Sequence, residues 1–262
     1  MMIGVLKFFL LVATTLALPQ QQDVCNEGVS YWCQNRETAV KCGVLEYCKV
    51  TQPGFLSNDV ADSDAQPILI ELYYESLCGG CRQFILEQLF PTYEKLYSTG
   101  IFDIKLYPYG NAKESKDGDK WKFECQHGKG ECQMNLIETC ALHLMSHPHQ
   151  FMPFINCVEK NATMKNAQKC AESLQVEWGP ISQCYSGSEG NFLEHQLAQK
   201  TEALKPQHQY VPWIVVDGKH TEQMQTDAQT SLEEFICTNY KGTAPKECKD
   251  VLKQADERRC FK

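Results

Sequence analysis

The sequence predicts an α/β fold interrupted by a disulfide-stapled helical insertion. Three observations carry that expectation. "ILIELYY" (Ile68–Tyr74) is an almost unbroken apolar and aromatic run that meets Cys78-Gly-Gly-Cys81 and then a helical pattern. Far down the chain, "YVPW" opens another strand at Trp213–Val216. Between them, cysteines recur at 125, 132, 140, 157, 170 and 184 through segments with helical spacing.

The first 17 residues carry Lys7, an apolar core from Phe8 to Leu16, and small Ala17 with Thr15 at the −3 position. That pattern is a secretory signal peptide. Its apolar run is too short to span a bilayer comfortably, and no other run approaches the necessary length, so no stable membrane insertion is expected. In a secreted chain most of the 15 cysteines should pair, and the odd number leaves at least one free or bonded to another molecule. The formal charge of −8 argues against a nucleic-acid partner, which calls for a basic face. Asn161 lies in Asn-Ala-Thr, the sole glycosylation sequon.

Cys25 to Cys48 is a compact piece with four cysteines in 24 residues, and Thr51–Pro67 has the polar, turn-rich composition of an exposed linker. Ile68–Tyr74 has the composition of a central strand buried on both faces. After the cysteine pair, Phe84, Ile85, Leu89, Tyr93 and Leu96 recur near helical spacing, with Pro91 placed to kink the helix. Ile101–Tyr107 alternates like a second strand. From Trp121 to Trp178 no strand is expected; Leu136, Ile137, Cys140 and Leu144 share one helical face, and another helix is expected over Asn191–Leu204. The insertion thus spans about 112–204. Asp217-Gly218 after the last strand is a hairpin signal. Ser231–Glu234 forms a capping box that opens a last helix ending before Gly242, and the tail from Thr243 has little apolar patterning.

The Cys78–Cys81 pair has three readings. As a staple it would close a very small loop and constrain the unfolded chain little. As a metal clip it lacks a second C-x-x-C; Cys125, His127 and Cys132 keep a zinc site open, though an oxidising compartment disfavours thiolate ligands. As a reactive dithiol, the strand delivers Cys78 to a helix N-terminus, where the dipole and free N–H groups stabilise a thiolate. Cys81, one turn further on, would be more buried and would resolve a mixed disulfide. Arg82 is expected to add positive charge nearby. Glu75 is expected at the surface, with proton relay as its second reading.

The strand, C-x-x-C and helix, followed by Val211-Pro212 before a later strand, resemble the thioredoxin superfamily. That resemblance implies a thioredoxin-like fold with a disulfide-stapled helical insertion. It also implies a cis Pro212 facing the dithiol, and a Val211 backbone that pairs with a substrate strand. "CQHGKGECQMN" places Cys125, Gln126, His127, Gly128, Glu131, Cys132 and Asn135 in the order C-Q-H-G-x-x-E-C-x-x-N. It resembles the signature of the gamma-interferon-inducible lysosomal thiol reductases, and the segment Cys25–Cys48 resembles a saposin A-type motif.

This family resemblance implies a soluble enzyme of lysosomes and endosomes, partly secreted. It would reduce disulfides of protein substrates at acid pH for proteolysis and antigen processing. No bound cofactor or metal is implied; an external cysteine-like small thiol would restore the dithiol. Trimming would leave residues 67–237 as the catalytic domain, with 18–66 and 238–262 as propeptides. Cys237, Cys248 and Cys260 are candidates for a disulfide joining two precursors into a homodimer. The work of the signature stays open: His127 as proton donor, substrate contact or satisfied polar group, and Cys125 with Cys132 as a loop closure. Spacing suggests pairing Cys157 with Cys170. Two rivals remain. One is an endoplasmic-reticulum oxidase or isomerase, against which the ending "RRCFK" counts. The other is a secreted binding module in which Cys78–Cys81 is a structural disulfide.

Overall fold

The computed structural model describes residues 33, 36–44, 47–48 and 65–260. The signal peptide, Cys25 and most of the linker lie outside the described residues, together with the expectations placed on them. A short helix α1 (Arg36–Lys41) and the disulfide Cys33–Cys48 belong to the N-terminal cysteine-rich piece.

The core is a three-stranded sheet. Strand β1 (Ile68–Tyr74) lies in the middle, parallel to β2 (Phe102–Pro108) and antiparallel to β5 (Trp213–Val216). The central place explains the continuous apolar run, because both faces of β1 are covered. Ile70 pairs with Ile104, and Leu72 lies between Leu106 and Ile214; Ile70 and Leu72 are fully buried. Side chains of this size contribute roughly 1.5–3 kcal/mol each on burial. Edge strand β2 alternates instead, with Asp103 and Lys105 exposed.

From Cys78 the chain enters α2 (Gly79–Phe84), a π turn (Ile85–Leu89) and α3 (Phe90–Leu96). Pro91 stands in the sequence where a kink is expected. The irregularity falls one turn earlier, where the Phe90 N–H donates to the Ile85 carbonyl. A π turn of this kind absorbs the disturbance of a proline that has no N–H to give.

The insertion follows β2. It opens with a hairpin, β3 (Lys113–Asp117) and β4 (Lys120–Glu124), which corrects the expectation that no strand lies beyond Trp121. Then come α4 (Lys129–Leu144), α5 (Pro148–Glu159), α6 (Met164–Ser173), α7 (Trp178–Ser186) and α8 (Ser188–Glu202). Cys140–Cys184 ties α4 to α7, and Cys157–Cys170 ties α5 to α6, the pairing that spacing suggested.

After β5, Asp217 and Gly218 turn with φ of 49° and 73°, but only the single bridge Val216–Lys219 follows, so the expected hairpin is a stub. The chain leaves at once for α9 (Glu222–Thr230) and α10 (Leu232–Asn239). The Ser231 hydroxyl caps α10 by accepting from the Glu234 N–H, as the capping box predicts, while the Glu234 carboxylate pairs with Arg258. The tail is not patternless: it forms α11 (Lys249–Cys260), anchored by Cys237–Cys248. That bond removes Cys237 and Cys248 from the set expected to link two chains. Among the described residues no helix is long and apolar enough to cross a membrane. The architecture is a thioredoxin-like α/β fold with a disulfide-stapled insertion.

Candidate active site

Strand β1 ends at Tyr74, and four residues later Cys78 is the N-cap of α2. Cys78 is partly exposed and Cys81 is buried, both as free thiols. The Cys81 N–H donates to Cys78 Sγ at 3.3 Å. The Cys78 pKa falls to about 6, chiefly because the Cys81 thiol hydrogen-bonds to it. The backbone N–H groups of Cys81 and Gly80 and the charge of His127 add to this, against an opposing contribution from burial. Burial pushes the Cys81 thiol far above the ordinary range. One sulfur is thus poised to ionise and its neighbour to keep its proton, the asymmetry a nucleophile and a resolving thiol require.

Arg82 does not supply the positive charge expected of it. Its Nε donates to the Glu159 carbonyl at 2.7 Å and its Nη2 to the Lys160 carbonyl at 3.0 Å, which turns the guanidinium toward the end of α5. His127 is the cation that acts on Cys78.

Opposite the dithiol, the Val211–Pro212 peptide is cis, as is Lys205–Pro206. The Val211 carbonyl lies 3.8 Å from Cys78 Sγ. A side chain on Gly80 would reach van der Waals contact with the Pro212 ring, so the glycine keeps the sulfur's surroundings open. No motif marks Gln225, which holds this segment from α9: its Nε2 donates to the Pro212 carbonyl at 2.9 Å and its Oε1 accepts from the Ile214 N–H at 2.8 Å. Gln225→Ala would leave both backbone groups buried and unpaired. We expect it to cost roughly 2–4 kcal/mol in urea unfolding, and a loss under about 1 kcal/mol would remove Gln225 from this role.

The signature segment folds against the same loop. Cys125–Cys132 closes it, and with both sulfurs bonded to each other no thiolate is left for a zinc site with His127. Gly128, at φ +85°, makes a left-handed turn into α4 that suits glycine. The Gln126 Oε1 accepts from the Asn111 side-chain amide at 2.8 Å. The Asn135 Oδ1 accepts from the Ser76 N–H at 3.0 Å and the Ser76 hydroxyl at 2.7 Å, which fixes the backbone just before the dithiol. Glu131 holds His127 twice, accepting its backbone N–H at 2.9 Å and lying 2.5 Å from Nδ1.

Glu75 is fully buried, not at the surface. The reason lies elsewhere in the chain. Gly110, at φ +60°, has no side chain to collide with the Glu75 carboxyl, and the Asn111 N–H donates to Oε1 at 2.7 Å. The second oxygen, Oε2, has no hydrogen-bond partner and lies 3.6 Å from His127 Nδ1. Burial raises the Glu75 pKa to about 7. Among the described residues Glu75, His127 and Glu131 place three potential ligand atoms within 4.8 Å of one another. Because His127 Nδ1 already faces Glu131 at hydrogen-bond distance, the set is arranged to hold a proton.

The other expected residues are dispersed. Asn161 is exposed beyond α5, across a groove that Leu77, Arg82 and Gly130 also line. His147 and His149 stack at the start of α5, away from the dithiol.

Comparison with known proteins places this geometry in a family. Residues 69–174 match the family described as gamma interferon inducible lysosomal thiol reductase, and residues 22–52 match the saposin A-type domain. A gamma-interferon-inducible lysosomal thiol reductase of Carassius auratus is 42% identical over 90% of this chain and 89% of its own. One from Mus musculus is 35% identical over 75% of this chain and 77% of its own. A solved structure of DsbA from Chlamydia trachomatis is similar over 64% of this chain and 87% of its own, with a TM-score of 0.46 and 18% identity. The extent of identity to the first two means that the chain belongs to the gamma-interferon-inducible lysosomal thiol reductase family.

Proposed function

We propose that this protein reduces disulfide bonds of protein substrates in acidic lysosomal or endosomal compartments, with Cys78 as nucleophile and Cys81 as resolving thiol. Family membership makes the chain a thiol–disulfide oxidoreductase. The observation that carries the finer reading is the pair of unequal thiols opposite cis Pro212. At pH 5 a thiol of ordinary pKa is ionised to only about three parts in ten thousand, whereas one near 6 is ionised to about a tenth.

In the first step the Cys78 thiolate attacks one sulfur of a substrate disulfide lying beside Val211 and Pro212. The substrate S–S bond breaks, a Cys78–substrate disulfide forms, and the departing thiolate takes up a proton. Cys81 then loses its proton and attacks Cys78 Sγ. The second substrate sulfur leaves and is protonated, and a Cys78–Cys81 disulfide remains. The substrate gains two electrons and two protons. Two equivalents of a small external thiol, oxidised to their own disulfide, restore the enzyme. Glycosylation at exposed Asn161, delivery to lysosomes with partial secretion, removal of residues 18–66 and cleavage after Cys237 complete the proposal, the Cys237–Cys248 bond holding the clipped tail until it is reduced.

The test is reduction of a denatured disulfide protein by the purified full chain with a small thiol at pH 4.5 and pH 7. Substantial turnover at pH 4.5 is expected. Turnover confined to neutral pH would move the protein to the early secretory pathway, and none at either pH would make the dithiol structural.

A further inference from the structure

The signature segment touches neither cysteine covalently, yet it carries an imidazole and a carboxylate to the base of the dithiol loop. We propose that Glu75, His127 and Glu131 act as one positioning unit whose charge becomes more positive toward Cys78 as the medium becomes acid, so that the nucleophile stays ionised where it works. This deepens the proposed reductase function and rests on Cys78 being the nucleophile.

The geometry comes first. Glu75 follows β1 directly, and its carbonyl accepts from the Cys78 N–H, so the carboxyl is tied to the cysteine through the backbone. His127 is presented by the disulfide-closed loop before α4, fixed by Glu131 at both its N–H and its ring. Gly130 lies against Leu77 of the dithiol loop. The orphaned Glu75 oxygen points to His127. A buried carboxylate oxygen without a donor is costly, and a proton shared within the cluster removes the cost.

The charges follow from that arrangement. Burial, first, and the neighbouring Glu131 keep Glu75 protonated up to about pH 7, whereas the Asn111 N–H favours its charge. The Glu131 hydrogen bond raises the His127 pKa, with the charges of Glu131, Glu75 and Cys78 behind it. Acidification therefore removes a negative charge and secures a positive one beside the sulfur. Other groups face Cys78 too. Cys81 in α2 stays protonated, and Glu159 in α5 is held neutral by burial and by Glu138. Arg82 is turned away toward the end of α5. The cluster therefore reaches its protonated form near neutrality and keeps that positive bias beside the nucleophile through the acid range.

The test is the pH dependence of Cys78 alkylation by neutral iodoacetamide in the reduced full chain, with the labelled peptide identified by mass spectrometry. Wild type, Glu75→Gln and His127→Gln are compared from pH 4 to pH 9. The wild-type midpoint is expected near pH 6. His127→Gln should move it up by at least about half a pH unit, which is about threefold less thiolate at pH 5. Glu75→Gln keeps an oxygen for the Asn111 N–H and mimics the protonated acid, so its midpoint should stay near 6 or fall, never rise. An upward shift in His127→Gln alone separates the charge effect from loosening of the loop, which would drive both variants up toward the ordinary thiol value. An unmoved midpoint in His127→Gln, or upward shifts in both variants, overturns the inference while leaving Cys78 the nucleophile. A wild-type midpoint near about 8.5, the free-thiol value, would instead defeat the nucleophile assignment itself and the inference with it.

Discussion

Replacing Cys78 with serine is expected to lower disulfide reduction by a factor of about 10³ or more, to the background rate of the small thiol alone. A serine hydroxyl is not ionised at acid pH and makes no stable bond to sulfur, so nothing else in the site can open the substrate disulfide. Cys81 is buried with its pKa pushed up and cannot substitute. Replacing Cys81 gives a different phenotype. In Cys81→Ser the first step survives and the second is lost, so a covalent Cys78–substrate adduct should accumulate, visible as a mass increase that a reductant removes. The serine hydroxyl can still donate to Cys78 Sγ, as the Cys81 thiol does, and the backbone N–H remains. Cys81→Ala lacks that donor, so its adduct should form more slowly at pH 5 than the serine variant's, by several-fold. Turnover in Cys78→Ser, or no adduct in Cys81→Ser, would reject the assigned roles.

The parts of this site written in contiguous residues are legible in the sequence. A continuous apolar strand, two cysteines three apart and a helical pattern meet within "ILIELYYESLCGGCRQF", and each is a local signal. The cis peptide at Pro212 follows from resemblance, not from spacing. What stays hidden depends on distant residues. Glu75 reads as a surface residue because its slot is made by Gly110, Asn111, His127 and Glu131. Gln225 sits in a polar helix whose sequence says nothing about the strand it holds. The hairpin Lys113–Glu124 escapes a reading by pattern because β3 is charged and exposed throughout most of its length, and the alternation in β4 rests on Trp121 and Phe123 alone, too short to stand out. Trp121, stacked on His195, and Phe123, edge-on to Tyr109, anchor it. The available clue is Asp117-Gly118 at its turn, the same dipeptide as Asp217-Gly218. At 117–118 the dipeptide joins two full strands. At 217 the aspartate instead exchanges backbone and side-chain hydrogen bonds with Leu69 of β1, and the chain turns off into a helix. A turn signal marks the reversal and leaves the length of the returning strand to tertiary contacts.

The fold should be markedly more stable at pH 5 than at pH 8, the reverse of a protein held together by ionised carboxylates. Four buried carboxyls carry this expectation. Burial raises Glu75 to about 7 and Glu194 to about 8, the latter despite the Thr139 hydroxyl that donates to it at 2.6 Å. Burial likewise raises Glu138, and burial together with the neighbouring Glu138 charge raises Glu159. Oxygens of both residues lack a hydrogen-bond partner, which makes the ionised form costly. In the unfolded chain each carboxyl titrates near 4.5. Between 4.5 and about 7 to 8 the native state therefore binds protons that the unfolded chain does not, and stability falls as pH rises through that window. His127, with its raised pKa, acts in the same direction. Three groups oppose it. Cys78, lowered to about 6, adds stability as pH rises from there toward 9. His149, lowered to about 4 by burial and by His147, loses stability for the fold as pH drops below about 6.5, and His208 behaves alike. The carboxyls outnumber these groups above pH 5, and a tenfold gain in a carboxyl's proton affinity on folding is worth on the order of 1.4 kcal/mol. A net change of several kcal/mol corresponds to a Tm roughly 10 °C higher at pH 5 than at pH 8. Calorimetric melts of the full chain with its disulfides intact would measure it. Glu194→Gln gives a sharper comparison: it should raise Tm at pH 8, where the native glutamate must ionise or bind a scarce proton, and change it little at pH 5. A Tm that is flat or rising from pH 5 to pH 8, with Glu194→Gln no better than wild type at pH 8, would mean that water or rearrangement relieves these carboxyls and that the acid preference is not built into the fold.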